Sequence, residues 1–289
     1  MRWRTKFLAA ARCQWVKAVM MKWKFPWKLL HWVLCASVLA FLLVPIAAVI
    51  PLSFSSGSFL TYPLPGLSLR WYQEVLSGTK WITALGNSLY VGVVATATSV
   101  TLGTLASLGL MRRNSWWSNG LKLMALSPMI VPVILIAVAS YFFLAPLNLT
   151  NTYTGLIIAH TVIAIPFVVV PVLTALELFD PNLARAAAAC GATARVTFLR
   201  VTLPCIMPAM ASGALFAFAA SFDDVVIALL IAGPEQRTLP REMFSGLRDS
   251  MTPALTAVAT IMIAFSTTLF MLMQVLQRRV RKNSRKNGG

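Results

Sequence analysis

Charge is what this sequence most lacks. Asp, Glu, Lys and Arg together make up 11% of its 289 residues, against roughly a quarter in a soluble domain. So few charged groups could not cover a water-facing surface of this size, which excludes an ordinary soluble globule. Histidine occurs twice, at His31 and His160. No metal-ligand spacing, phosphate-binding glycine loop or nucleophile constellation occurs, so neither a metal nor a catalytic site is expected on this chain. If the protein moves something uphill, its energy comes from another chain or from an ion gradient.

What is abundant is apolar. Hydrophobic residues reach 58%, mean hydropathy is +0.76, and the charge that remains is lopsided, 25 Lys and Arg against 8 Asp and Glu, a net +17. A helix needs about 20 apolar residues to cross a hydrocarbon core. Six stretches qualify, at 29–52, 84–111, 121–145, 154–178, 204–232 and 253–276. The predicted fold class is therefore all-α, a six-span membrane protein with both termini on one side. It divides into a basic, Trp-rich leader (1–28), the membrane domain (29–276) and a basic tail (277–289).

The basic residues orient these spans. Twenty of the 25 fall before the first span, in the second-to-third and fourth-to-fifth connections, and in the tail; five fall on the other side. Cytoplasmic loops carry the excess of Lys and Arg, so both termini and the even-numbered connections are expected in the cytoplasm. The positive charge thus reads as topology, and nucleic acid is not an expected partner. The leader's Trp3, Trp15, Trp23 and Trp27 among its cations suit a lipid headgroup layer; a loosely ordered leader is the other reading. The first apolar stretch is too long for a signal-peptide core and reads as a retained span. Cys13, Cys35, Cys190 and Cys205 fall in cytoplasmic or membrane segments, so no disulfide framework is expected.

Helices in lipid associate through small residues every fourth position. Ala95, Ser99, Gly103 and Ser107 form such a face on the second span, and Cys205, Ala209, Gly213, Ala217 and Ser221 another on the fifth. These two spans are expected to make the tightest contacts. Pro45, Pro128, Pro132, Pro166, Pro171 and Pro208 favour kinks within the spans.

Polar groups inside a span are costly and therefore informative. Asp223 and Asp224 come late in the fifth span, Asp223 on the order of 28 Å along the helix from Pro204. His160 starts the fourth span and Asn87, with Ser88, the second. All four fall in one outer layer. One reading makes this layer the lining of a solute path, with Asp223 or Asp224 attracting a cation. The other makes the Asp pair a helix break, hydrogen-bonded to a neighbouring chain.

The connection at 180–203 has its own structure. Asp180 can cap a helix that has Pro181 at its first position, the alanine run supports that helix, and Gly191 can end it left-handed. Thr193 can cap a second short helix reaching Pro204. A helix–turn–helix outside the bilayer implies something that docks on it.

This segment resembles the permease subunits of binding-protein-dependent ABC importers. Their shared motif is Glu-Ala-Ala, three residues, Gly, nine residues, Ile, one residue, Leu-Pro. Here Ala186-Ala187, Gly191, Val201 and Leu203-Pro204 stand at that spacing, with Arg185 in place of the Glu and Val201 in place of the Ile. The segments Ser221-Phe222-Asp223-Asp224-Val225-Val226, Gly233-Pro234 and Thr238-Leu239-Pro240 are most similar to the spermidine/putrescine branch, to its second permease in particular.

The resemblance implies a MetI-like, type I importer bundle and no catalysis on this chain. It implies a coupling helix that docks Arg185, Ala186, Ala187, Gly191, Arg195, Leu203 and Pro204 on a cytoplasmic ATPase dimer, which carries the ATP and Mg. It also implies a second homologous permease, identical or different. A periplasmic or extracellular binding protein would contact residues 234–252 through Glu235, Arg237, Arg241, Glu242, Arg248 and Asp249. The location implied is a bacterial inner membrane, and the solute a polyamine or another small compound such as an opine, amino-acid derivative or aminophosphonate. An ion-coupled secondary transporter and a membrane-embedded enzyme are the competing classes. The helix pair at 180–203 disfavours the first, and the thin polar layer disfavours the second.

Overall fold

A computed structural model describes residues 27–111, 116–249 and 251–286. The basic leader, apart from Trp27 and Lys28, lies outside the described residues, as do Arg112 and Arg113. The backbone divides into two units, residues 1–51 and 52–289. In the first, α1 (Trp27–Leu52) is apolar on every side, with Trp32, Phe41 and Leu42 exposed, the composition of a helix that meets lipid.

Among its described residues the second unit consists of helices joined by turns and loops, with one isolated antiparallel bridge, Ser55 with Leu67, in the stretch before its first helix. It contains α2 (Arg70–Ser77), α3 (Thr79–Met111), α4 (Trp116–Leu126), α5 (Val133–Leu144) and α6 (Tyr153–Glu177). Then follow α7 (Pro181–Ala189), α8 (Ala194–Thr197), α9 (Leu203–Phe222), α10 (Val226–Ile231), α11 (Leu239–Asp249) and α12 (Pro253–Lys286). Among the described residues, five helices are long and apolar enough to cross a membrane, or six if one bent pair counts as a span.

That bent pair corrects the expected third span. Residues 121–145 are not one helix: α4 ends in a 3-10 turn at Ser127–Met129 and α5 leaves it bent by 106°. Pro132 lacks the N–H that would continue the ladder and disfavours a helical Val131 before it. The Ser127 carbonyl closes the turn, accepting from the Ile130 and Val131 N–H groups, both at 3.0 Å.

The fifth span is also shorter than expected, because α9 ends at Phe222, not at 232. At its other end it is longer. α8 runs through a wide π turn at Phe198–Thr202 into α9, so the expected second short helix and the fifth span are one path. Pro204 explains the wide turn, since a proline clashes with the carbonyl four residues earlier in a regular helix.

α6 is the centre of this unit, with α3 and α9 packed against it. Ala164, Val168, Val172 and Leu176 of α6 form one buried cluster with Ile206 and Ala217 of α9. The two small-residue faces serve this helix. A Cβ on Gly103 would lie 3.0 Å from the Val168 side chain, and one on Gly213 2.9 Å from the Val168 Cα. Val168 thus sits between two glycines that let three backbones approach. The stripe on α9 fades at its start, where Cys205 is exposed and Ala209 half-buried.

A second cluster joins Leu156, Ala159 and Ile163 of α6 to Ile227, Ala228 and Ile231 of α10 and to Ala137 and Leu144 of α5. A third packs Trp71 and Val75 of α2 against Leu255 and Val258 of α12.

Candidate functional site

Two places carry the sequence-predicted residues, at opposite ends of α6. The first is the junction between α9 and α10. Asp223 closes α9 as its C-cap. Asp224 Oδ2 accepts from the backbone N–H of Ile227 at 2.9 Å and of Ala228 at 3.4 Å, so it caps the short α10. The helix therefore breaks at the aspartates, and the hydrogen bonds of Asp224 found here are to its own chain. They also line a cavity of about 730 Å³. Its other walls include Phe167, Phe218, Phe222 and Phe270, with Ser266 and Thr267 of α12. No Lys or Arg is among its described lining residues, which leaves two carboxylates in an aromatic, otherwise uncharged surround. Asp223 is exposed, while the Asp224 side chain is almost covered.

His160 and Asn87 are brought near this layer but do not line that cavity. His160 is fully buried behind it, its Nδ1 2.8 Å from Ser221 Oγ and its Nε2 3.9 Å from Asp224 Oδ2. Asn87 is nearly buried in α3. Its Nδ2 donates to the Glu235 carbonyl at 2.8 Å and to the Arg237 carbonyl at 2.9 Å, and its Oδ1 accepts from the Tyr153 hydroxyl at 2.8 Å. Ser88 Oγ accepts from the Leu239 N–H at 2.8 Å. Asn87 and Ser88 therefore pin the 234–239 segment to α3, beside a smaller cleft of about 260 Å³.

The segment after α10 is more ordered than an open loop. Glu242, which sequence places with the outward-facing charges, is buried in α11. Lys80 Nζ lies 2.6 Å and Arg237 Nη1 3.3 Å from its carboxylate oxygens. Arg241 donates to the carbonyls of Ala232 and Gly233, closing the end of α10. Burial, and then the nearby Arg237, push the Arg241 guanidinium down from its ordinary value, while Glu242 acts the other way. Sequence reading missed Tyr153, Ser221 and Glu242 as partners in this layer. The one local signal was the five-residue spacing of Arg237 and Glu242.

The second place is the connection at 180–204. Asp180 Oδ1 accepts from the Asn182 N–H at 2.9 Å and Pro181 opens α7. Gly191 takes φ +82°. Its N–H donates to the Ala188 carbonyl at 2.9 Å, and the Ala192 N–H donates to the Ala187 carbonyl at 3.0 Å. This pair of bonds is the Schellman ending that a left-handed glycine permits. Thr193 Oγ1 accepts from Val196 N–H at 3.4 Å to start α8.

No residue of α7 is buried. Arg185, Ala186, Gly191 and Arg195 are exposed and Ala187 half-buried, while Leu203 is half-buried and Pro204 exposed at the start of α9. Arg185 Nη1 donates to Asn182 Oδ1 of its own helix at 3.3 Å. α7 is thus an alanine-rich helix capped at both ends, with its faces open on this chain.

Comparison with known proteins agrees with this architecture. Residues 99–282 match the family described as binding-protein-dependent transport system inner membrane component. The chain is 32% identical over 245 residues to the putrescine transport system permease protein PotI of Escherichia coli (strain K12), covering 82% of this chain and 86% of that one. It is 30% identical over 244 residues to the spermidine/putrescine transport system permease protein PotC of Haemophilus influenzae, covering 84% and 94%. Among solved structures, a bacterial ABC transporter involved in the import of alginate superposes with a TM-score of 0.70 at 16% identity, over 91% of this chain and 99% of that chain. The MetNI methionine ABC transporter in inward-facing form superposes at 0.57 and 17% identity, over 74% and 99%. With its helical membrane bundle, its capped helix pair between two spans and these likenesses together, the chain belongs to the binding-protein-dependent transport system inner membrane component family and is a transmembrane permease subunit of an ABC importer.

Proposed function

We propose that this permease carries a small polycationic solute of the polyamine class, and that Asp223 and Asp224 attract its ammonium groups. The observation that carries this reading is the cavity at the α9–α10 junction, with two carboxylates, phenylalanine walls and no basic lining residue among those described. An ammonium gains from a carboxylate and from an aromatic face, and the methylene chain between two ammoniums gains from apolar walls. An anionic solute would meet repulsion from both carboxylates, with no Lys or Arg among the described lining residues to offset it. The likeness to putrescine and spermidine/putrescine permeases supports the same class.

In this reading α7 seats in a cytoplasmic ATPase of a dimer, with Arg185 and Arg195 flanking Ala186, Ala187 and Gly191, and with Leu203 and Pro204 joining that seat to α9. ATP and Mg belong to that partner. The distribution of basic residues supports cytoplasmic termini and a cytoplasmic α7. A second homologous permease completes the path, since Asp223 is exposed on this chain alone. A solute-binding protein on the outer side meets the 234–252 segment, whose first part is tied to Asn87 through the Glu235 carbonyl and to Ser88 through the Leu239 N–H. Hydrolysis then drives alternating access as rigid-body motion about a central site.

The test is uptake of labelled putrescine and spermidine by the reconstituted transporter carrying Asp223→Asn or Asp224→Asn. Each neutralised aspartate that faces the solute is expected to raise KM by roughly tenfold or more, the size of one lost hydrogen bond to a charged group. Normal uptake by both variants would rule out the cation site.

A further inference from the structure

His160 is placed where no solute reaches it, yet its ring is aimed at one of the proposed solute carboxylates. It is the eighth residue of α6 and fully buried, so its polarity carries a desolvation cost that a plain core residue would avoid. One ring nitrogen is engaged: Nδ1 stands 2.8 Å from Ser221 Oγ on α9. The other, Nε2, is buried without a hydrogen-bond partner among the described residues. It lies 3.9 Å from Asp224 Oδ2, whose side chain is 7% exposed. That gap is too long for a hydrogen bond and closes with a shift of about 1 Å.

The two sides of the gap belong to different parts of the backbone. Asp224 does not belong to α9. It stands in the break at Asp223–Val225, between a helix that ends at Phe222 and a short helix that begins at Val226. His160 belongs to α6, a continuous helix of 25 residues that ends at Glu177, three residues before the Asp180 cap of α7. From His160 to Glu177 is roughly 26 Å along that helix. The ring thus sits at one end of the element whose other end adjoins the docking helix.

We infer that His160 is a positioning residue for Asp224, closing the Nε2–Oδ2 gap in one access state and leaving it open in the other, so that the solute carboxylate is held differently as α6 moves against the α9–α10 break. With the Ser221 hydroxyl at Nδ1, the neutral ring has a tautomer that carries its proton on Nε2, facing the carboxylate. The gap is open in the present conformation. Closing it would give Asp224 a side-chain donor in addition to the two backbone N–H groups that it already accepts, and so lower the strength with which its oxygens can hold an ammonium. The ring therefore acts on release and rebinding of solute through Asp224, without touching solute itself. The inference rests on the proposed reading of Asp224 as a solute carboxylate.

The test uses the assembled transporter, with permeases, ATPase and binding protein, in proteoliposomes, and reads KM and Vmax for putrescine separately. His160→Asn keeps an amide near Nδ1 for Ser221 but cannot reach Asp224. His160→Gln places its amide near Nε2 and gives up the Ser221 contact. Positioning predicts that the Asn variant changes KM or Vmax by on the order of tenfold, the effect of one charge-assisted bond, that Gln restores most of it, and that the Asn effect disappears in an Asp224→Asn background. A purely structural histidine predicts the reverse order of Asn and Gln, or equal losses of assembled protein with KM unchanged, and either result overturns the inference.

The two readings fail separately. If Asp224→Asn transports normally, the solute-carboxylate reading falls and this inference with it. If Asp224→Asn is impaired but the His160→Asn effect adds to it unchanged, only the role of His160 falls. Should His160→Asn fail to assemble, Asp224→Glu asks the question from the other partner. Its extra methylene closes the gap permanently and should lower Vmax, and a wild-type Vmax would overturn the inference.

Discussion

Replacing Gly191 tests whether the geometry of α7 matters for coupling rather than merely for folding. Gly191 has φ +82°, and a Cβ built on it meets nothing within 4 Å. A side chain there is therefore resisted by the backbone alone, not by neighbours. For an L-residue the left-handed conformation costs about 1–2 kcal/mol, more for a β-branched one. Burial offers no compensation, since α7 buries no side chain. The strain instead loosens the bonds from Gly191 to Ala188 and from Ala192 to Ala187. A cost of that size changes the ratio of formed to frayed ending by a factor of roughly 5–30. Gly191→Val is expected to lower solute moved per ATP hydrolysed by a factor of that order, with the permease still assembled. Gly191→Asn should stay near wild type, because asparagine tolerates the left-handed region. Uptake and phosphate release are measured together in proteoliposomes. A valine variant with the wild-type ratio would show that the end of α7 does not carry coupling.

Three further outcomes are expected. Gly213→Ala puts a methyl 2.9 Å from the Val168 Cα and 3.2 Å from the Phe167 carbonyl and should destabilise by about 1–3 kcal/mol. Gly109→Ala meets nothing within 4 Å and should stabilise by about 0.4–1 kcal/mol; melting in detergent ranks the two, and the opposite order would contradict the packing described for α6. Asn87→Ala removes the ties to Glu235, Arg237 and Tyr153 at a cost on the order of 1–3 kcal/mol, seen as faster tryptic cleavage after Arg237 and Arg241. Removing both Lys80 and Arg237 leaves the buried Glu242 carboxylate unpaired, which should cost about 3–5 kcal/mol. Glu242→Gln leaves two half-exposed cations that water can solvate and should change stability by about 1 kcal/mol or less; equal melting temperatures for the two would refute that asymmetry.

Composition and local chemistry settled a good part of this protein. Helices that must satisfy their own backbone in lipid leave long apolar runs, so five of the six expected spans correspond to a single long apolar helix, the fifth of them only as far as Phe222. The ends of α7 were legible for the same reason. Caps depend on the few residues around them, and Asp180, Pro181, Gly191 and Thr193 do what their side chains and backbones allow anywhere. The small-residue faces told which helices approach closely, because a missing side chain is written in the sequence itself.

What was not legible depended on partners far away along the chain. The 106° bend between α4 and α5 required two prolines and a place for α5 to pack, which Ile227, Ala228 and Ile231 of α10 supply. The stripes on α3 and α9 showed two close-packed faces but not that both close on α6, since Val168 is an ordinary residue until the fold sets it between Gly103 and Gly213. Glu242 looked like one more surface charge until α3 brought Lys80 to it across 162 positions of sequence. The polar layer shows the same division. Sequence placed Asn87, His160, Asp223 and Asp224 at one depth, because depth follows from counting along helices. Only packing could decide that Asp223 and Asp224 open into a cavity, that Asn87 ties a loop, and that His160 stands behind the wall facing Asp224. Depth is a property of one helix, whereas lining, tying and backing are set by which helix faces which.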